Sequence, residues 1–327
     1  MTTPHHQTKL ALGSDTTLLL VGQASSAVIA ETFSDLWQTI YRFERQFSRF
    51  IPMSELSVFN RSPGVKMGIT PEFRDILVVA KQLGEETDGL YNPLILPALH
   101  RAGYTKSFVE TYADDTQDDY STRAVVPVAQ LEIGDNWAAI PYGTALDLGG
   151  CGKGYLADLL ANHLAAPWVQ GYWLSIGGDI VGEGFDASGK PWTVTIQSAF
   201  KEAAHSKWMI QMSGGRFAVA TSGTMIRAGQ HNGKSWHHII DPRTLRPAES
   251  DCSMATVYCA SAVRADVLAS CAIILGSQKA VPFLKEQGIE AAYLQGNTDT
   301  TNSLHTRFGK ALRPKTINQP RGEQLHV

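Results

Sequence analysis

The chain reads as an α+β protein, a mixed β-sheet with packed helices. Segments of helical period and short strand-like segments follow one another without a regular βαβ alternation, which disfavours a doubly wound sheet. The strand candidates are separated by Gly, Pro and charge clusters. With 43% hydrophobic and 18% charged residues over 327 positions, the chain can bury a large core and is not a disordered polymer.

Taken in order, residues 1–10 are polar and read as a flexible N-terminus. Ala11–Gly22 reads as a strand punctuated by Gly13-Ser-Asp-Thr. From Ala27 to Phe50, Ile29, Phe33, Leu36, Ile40, Phe43 and Phe47 recur at three- and four-residue steps, a helical stripe. A second helix spans Pro71–Asp88, with Thr70 as N-cap, Pro71 at its first position and Asp88-Gly89 at its end. The stretch 104–126, polar and acidic without period, reads as a surface insertion or mobile loop. Gly154–Leu164 reads as a third helix, entered through a glycine-rich turn. Strands follow at Trp173–Ile176, Thr193–Gln197, Trp208–Met212 and Phe217–Thr221. A helix begins near Ser261 or Ala262 and runs to about Leu275, and a short one covers Ser277–Gln287. Residues 297–327 read as a polar tail. The expected organisation is one domain over 11–296.

A net charge of −3 provides no electrostatic basis for nucleic acid as the main partner. Neither a signal-like apolar run nor a lipid-anchor cysteine marks the N-terminus, and Thr17–Val21 is too short to cross a bilayer; no other window is expected to reach that length. These points favour a cytoplasmic protein with no membrane anchor. Cys151, Cys252, Cys259 and Cys271 lack C-x-x-C spacing, so free buried thiols are expected in place of a zinc site or redox pair.

The segment Asp147-Leu-Gly-Gly-Cys-Gly-Lys-Gly-Tyr155 carries the strongest chemical signal. Glycines admit close backbone approach, the first amides of a helix carry partial positive charge, and Lys153 adds a mobile cation. The spacing fits neither a P-loop, which needs a hydroxyl where Gly154 stands, nor the dinucleotide fingerprint, which needs glycine where Tyr155 stands. A tight strand–helix turn with no ligand explains it equally well in isolation. Four further segments bear on the choice. Ser175-Ile-Gly-Gly-Asp-Ile180 sets a glycine pair before a carboxylate. Ala220-Thr-Ser-Gly223 presents two hydroxyls, though Ser222 could be a turn residue only. His237-His-Ile-Ile-Asp-Pro-Arg243 joins imidazoles to an Asp-Pro turn. Asp266 and Ser270, at i and i+4, share one helix face and could reach a hard cation, although Asp266 could equally favour a helix start.

In this order the segments resemble the FAD:protein FMN transferase family (the ApbE family). Phe47-Ser-Arg-Phe, Ser54-Glu-Leu-Ser with Asn60, Asp88-Gly-Leu-Tyr-Asn-Pro93, His238-Ile-Ile-Asp-Pro-Arg-Thr244 and Ala265-Asp-Val-Leu-Ala-Ser270 complete the set, from about Leu12 to Leu284. The resemblance implies an ApbE-like, T-fold-related architecture and an enzyme that attaches the FMN half of FAD to a Thr or Ser of an acceptor flavoprotein, releasing AMP. By position it implies Mg²⁺ held by Asp266, Ser270 and the carbonyl of Gly150, and His238 as general base. Asp147 and Lys153 would contact FAD. Leu12, Phe50, Leu90, Tyr91, Asn92 and Ile240 would line its ring pockets, Ser222 is counted with the cofactor-binding residues, and Asn60 falls at a position thought to influence hydrolysis.

The chain departs from the family pattern at several places. Ser270 stands where Thr is usual, Asn92 where Asp is common, Thr224-Met225 where Asp-Tyr is frequent and Leu245 where Gly is usual. Two other functions use the same residues: an FAD pyrophosphatase with water as nucleophile, and an FAD-binding protein without turnover.

Overall fold

A computed structural model describes residues 2–105, 124–164, 166–197, 205–231, 234–298 and 302–314. Most of the acidic 104–126 segment and the last part of the tail therefore lie outside the described residues. The chain divides into two compact units. The first comprises Met1–Ile40, Lys153–Gly223 and Ser250–Val327, and the second comprises Tyr41–Gly152 and Thr224–Glu249.

The first unit is built on an eight-stranded sheet among the described residues. Its strands are β1 (Thr3–Ala11), β2 (Ser14–Gly22), β3 (Val169–Ile176), β4 (Asp179–Gly184), β5 (Phe217–Gly223), β6 (Met254–Cys259), β7 (Ala291–Thr298) and β8 (Asn302–Phe308). They lie in sequence order across the sheet, each antiparallel to the next. The α+β class is as the sequence predicts, but the strand directions are not mixed. From Thr3 on, the N-terminal segment expected to be flexible is a strand: β1 pairs along its whole length with β2 through the two-residue turn Leu12-Gly13. Both turn residues have positive φ, 51° and 67°, which gives a two-residue loop the twist that matches its strands.

The sheet is covered on both faces, and Leu18, Leu19, Leu20 and Val21 are accordingly all buried in one strand. Leu19, Val21, Trp173, Ile180, Phe217, Val219 and Tyr293 pack with Val194, Ile196, Ile210 and Leu312 of a small sheet, Thr193–Gln197, His205–Gln211 and Leu312–Pro314. Parts of the expected polar tail are thus strands.

A long helix, Ala262–Glu286, lies against β5 and β6. Its best 18-residue window has a mean hydropathy of 1.6, long and apolar enough to cross a membrane by those two measures, contrary to the expectation from sequence. More than half of that window is buried within the protein, as a core helix requires. Gly276, at φ 74°, breaks the helix where the sequence predicts two.

In the second unit, Phe47, Phe59 and Phe73 form an aromatic knot, with Phe73 centroids 5.6 Å from Phe47 and 5.3 Å from Phe59. Helix Pro71–Glu86 starts as predicted, the Thr70 hydroxyl accepting the Phe73 amide at 3.2 Å. A short helix, Glu55–Asn60, is capped by Ser54. A second cluster gathers Leu96, Leu99, Ala145 and Ile240.

Candidate active site

In the first unit, the helix Gly152–His163 follows the glycine-rich turn. Gly154 is confined: a Cβ there would meet the Ala262 carbonyl oxygen at 2.5 Å, so the two helices approach backbone to backbone only because the side chain is absent. Its amide donates to Asp266 Oδ2 at 3.3 Å, tying the turn to the carboxylate expected to hold a cation. Asp266 is 5% exposed. One turn on, Ser270 Oγ lies 2.9 Å from Ser222 Oγ at the end of β5, so one hydroxyl donates to the other.

Lys153 Nζ pairs with Asp179 Oδ2 at 3.0 Å, and that carboxylate is 3% exposed. The Gly177-Gly178 turn before Asp179 has φ of 60° and 98°. A side chain on Gly177 would strike Ser14, beside the Leu12-Gly13 turn, and would come within 3.4 Å of the Lys153 stem. The Leu12 turn, the glycine pair and Lys153 are therefore neighbours. Asp158 was not anticipated from sequence. Its carboxylate accepts the amides of Ala262 and Val263, both at 3.0 Å, and fixes the start of the helix bearing Asp266.

In the second unit, Asp147 Oδ1 accepts the Gly149 amide at 2.9 Å and Oδ2 pairs with Arg49 Nε at 2.8 Å. Arg49 lies in the Phe47-Ser-Arg-Phe motif, but nothing local marks it as the partner of Asp147. Asn60 and Leu146 form a reciprocal pair: the Asn60 amide donates to the Leu146 carbonyl at 2.9 Å and its Oδ1 accepts the Leu146 amide at 2.7 Å. Asn60 thereby fixes the backbone next to Asp147. A Cβ on Gly150 would touch the Tyr91 ring edge at 3.4 Å. Asn92 caps a short turn through the Leu94 amide and donates to the Val126 carbonyl. Leu90 and Ile240 are buried, and Phe50 packs its ring edge to face with Tyr104, centroids 6.1 Å apart.

The two adjacent histidines differ. His237 Nε2 donates to the Ala248 carbonyl at 3.0 Å, and burial, partly offset by that bond, holds its pKa below the ordinary histidine value. His238 Nδ1 lies 3.3 Å from the Arg227 carbonyl, which also accepts the His238 amide. A carbonyl only accepts, so in the neutral ring Nδ1 bears the proton and Nε2 the lone pair, the form a general base needs. The His238 ring packs edge to face on Tyr104, and Tyr104 stacks on Trp236. The turn after it is closed by Asp241 gripping Arg243 through two side-chain bonds of 2.9 and 2.8 Å. Leu245, where the resemblance leads one to expect Gly, sits at φ 56°.

Among the described residues no three His, Cys, Asp or Glu side chains cluster as a metal site. One buried carboxylate with a hydroxyl four residues on is nevertheless a donor set that suits a hard cation keeping several water or phosphate ligands. The residues present fit magnesium.

The ApbE family model matches residues 12–293. Curated relatives named FAD:protein FMN transferase include one from Salmonella typhimurium, 26% identical over 243 residues, covering 72% of this chain and 69% of that protein. One from Haemophilus influenzae is 25% identical, covering 89% and 85%. In fold the chain is similar to the flavinyl transferase ApbE of Pseudomonas stutzeri in its apo form, with TM-score 0.79, 24% identity and coverage of 95% and 96%. It is likewise similar to the flavin transferase ApbE of Vibrio cholerae, with TM-score 0.78, 21% identity and coverage of 95% and 98%. With a match over most of its length, the chain belongs to the ApbE family.

Proposed function

We propose that this protein is a magnesium-dependent FAD:protein FMN transferase that esterifies a Thr or Ser hydroxyl of an acceptor flavoprotein. The observation that carries the reading is the bond from the Gly154 amide to Asp266 Oδ2, which joins a phosphate-friendly helix start to a buried carboxylate of the right chemistry for a cation.

Asp266 and Ser270 would hold Mg²⁺. When bound, the ion supplies charge neutralisation at the pyrophosphate oxygens. Lys153, aligned by Asp179, offers a cation to the phosphates. Asp147, aligned by Arg49, orients the ligand from the glycine-rich turn. Leu12, Phe50, Leu90, Tyr91, Asn92 and Ile240 are assigned to the ring pockets, where flat heteroaromatics stack or pack. His238 Nε2 takes the proton of the acceptor hydroxyl as its oxygen bonds to the FMN-side phosphorus. The phosphoanhydride bond breaks and AMP leaves with the bridging oxygen. Asn60 acts on this chemistry by fixing Leu146 and so Asp147. Four buried cysteines in the thiol form favour a reducing setting, hence a cytoplasmic acceptor.

The hydrolytic alternative uses the same residues with water as nucleophile. Timing AMP release from FAD and Mg²⁺, with and without a cell lysate, separates the two. Transfer predicts slow release that accelerates when lysate supplies an acceptor. Fast release with equimolar free FMN in buffer alone would overturn transfer in favour of hydrolysis.

A further inference from the structure

Arg49 has a buried side chain, 5% exposed, and its guanidinium is engaged on every edge. Nε donates to Asp147 Oδ2 at 2.8 Å, Nη2 to the Tyr104 carbonyl at 3.2 Å, and Nη1 lies 3.3 Å from His100 Nε2. Its central carbon lies 4.1 Å from the Phe50 ring centroid and 4.7 Å from that of Tyr104. One carboxylate would suffice to offset the charge. A guanidinium held by three partners and packed on two rings is also fixed in its plane, which a lysine ammonium could not be.

Tyr104 extends that constraint. It follows Gly103, whose φ of 115° ends the helix Leu96–Ala102. Arg49 grips it twice, through its carbonyl and through its ring. The same ring stacks on Trp236 at 5.8 Å and meets the His238 ring edge to face at 6.2 Å. The His238 ring thus has the Arg227 carbonyl on Nδ1 and the Tyr104 ring against it. We propose that Arg49 is a positioning residue for flavin transfer: it aligns Asp147 at one end and, through Tyr104, holds the His238 ring in its Nδ1-protonated orientation at the other.

The catalytic part of this inference rests on the transferase reading, whereas the tautomer part does not. The test uses the full chain with ¹⁵N-labelled histidine, the His238 signal assigned by its loss in His238→Ala. Wild type is expected to show a single Nδ1–H tautomer for His238. Arg49→Lys keeps the charge but not the fork, and Tyr104→Leu keeps the ion pair with Asp147 but removes the ring. Both variants should show mixed His238 tautomers. Both should also lower kcat for magnesium-dependent AMP release from FAD by about tenfold or more, with KM for FAD little changed in Tyr104→Leu and raised in Arg49→Lys, which disturbs Asp147 as well.

A purely structural role would lower thermal stability and leave the His238 tautomer as in wild type, and that result overturns the proposal. If Arg49→Lys fails to fold, Tyr104→Leu decides alone. If wild type releases no AMP even with a cell lysate supplying acceptor, the transferase reading falls, while the tautomer comparison still judges the positioning role.

Discussion

Leu12 stands in the left-handed region at φ 51°, where its Cβ crowds the backbone, beside a glycine that tolerates the same region freely. Asn is the residue best suited to that first turn position. Leu12→Asn should therefore raise folding stability by about 1 kcal/mol, read from denaturant unfolding, while weakening FAD binding if Leu12 lines the ring pocket. Leu245, at φ 56°, likewise stands in the left-handed region that favours glycine. Residue roles were unevenly legible. The i, i+4 spacing of Asp266 and Ser270 is visible in the chain, and the structure keeps both on one helix. The pairing of Arg49 with Asp147 and Tyr104 is not, because no local period links residues so far apart in sequence. Asn60 could be picked out by motif, but only the fold shows both ends of its amide bonded to the Leu146 backbone.

At the scale of elements, the helix carrying the candidate cation ligands is really two helices joined at Gly276. The second has its own cap: Asp251 accepts the Ser277 amide at 2.8 Å and the Ser277 hydroxyl at 2.5 Å. Burial would raise the Asp251 carboxyl, but those bonds outweigh it and hold its pKa below the usual carboxylate value. The folded pKa is the lower one, so the cap contributes in full above the unfolded value, about 4, and is lost as pH falls through the folded value. Asp251→Ala should cost about 1 kcal/mol at neutral pH, and the gap to wild type should close in unfolding curves taken below about pH 4. A gap unchanged with pH would deny the carboxylate this role. Helices with strong stripes and caps were legible, down to Thr70 and the Gly276 break. β1 was not: its residues are polar on an edge strand whose partner, β2, supplies the apolar register, and Gln7 is spent on Trp37 Nε1 at 2.8 Å. β4 was masked by the glycines that close its turn.

For the molecule as a whole, one feature of the sheet accounts for most of what the sequence could not reveal. Because both faces are covered, its strands do not alternate cleanly between apolar and polar, and the period that would announce them is lost. The apolar helix on that sheet owes its hydropathy to the same burial. Of the residues proposed for function, Asp266, Ser270 and Lys153 lie in one unit and His238 in the other. In the proposed reaction these residues move FMN from FAD to a protein hydroxyl. The most direct measurement is in-gel flavin fluorescence after the purified chain has been incubated with FAD, Mg²⁺ and a cell lysate, then denatured. The expected result is a fluorescent acceptor band that needs magnesium and disappears with His238→Ala and with Asp266→Ala. A band of wild-type intensity from His238→Ala, or one indifferent to chelation of magnesium, would contradict it.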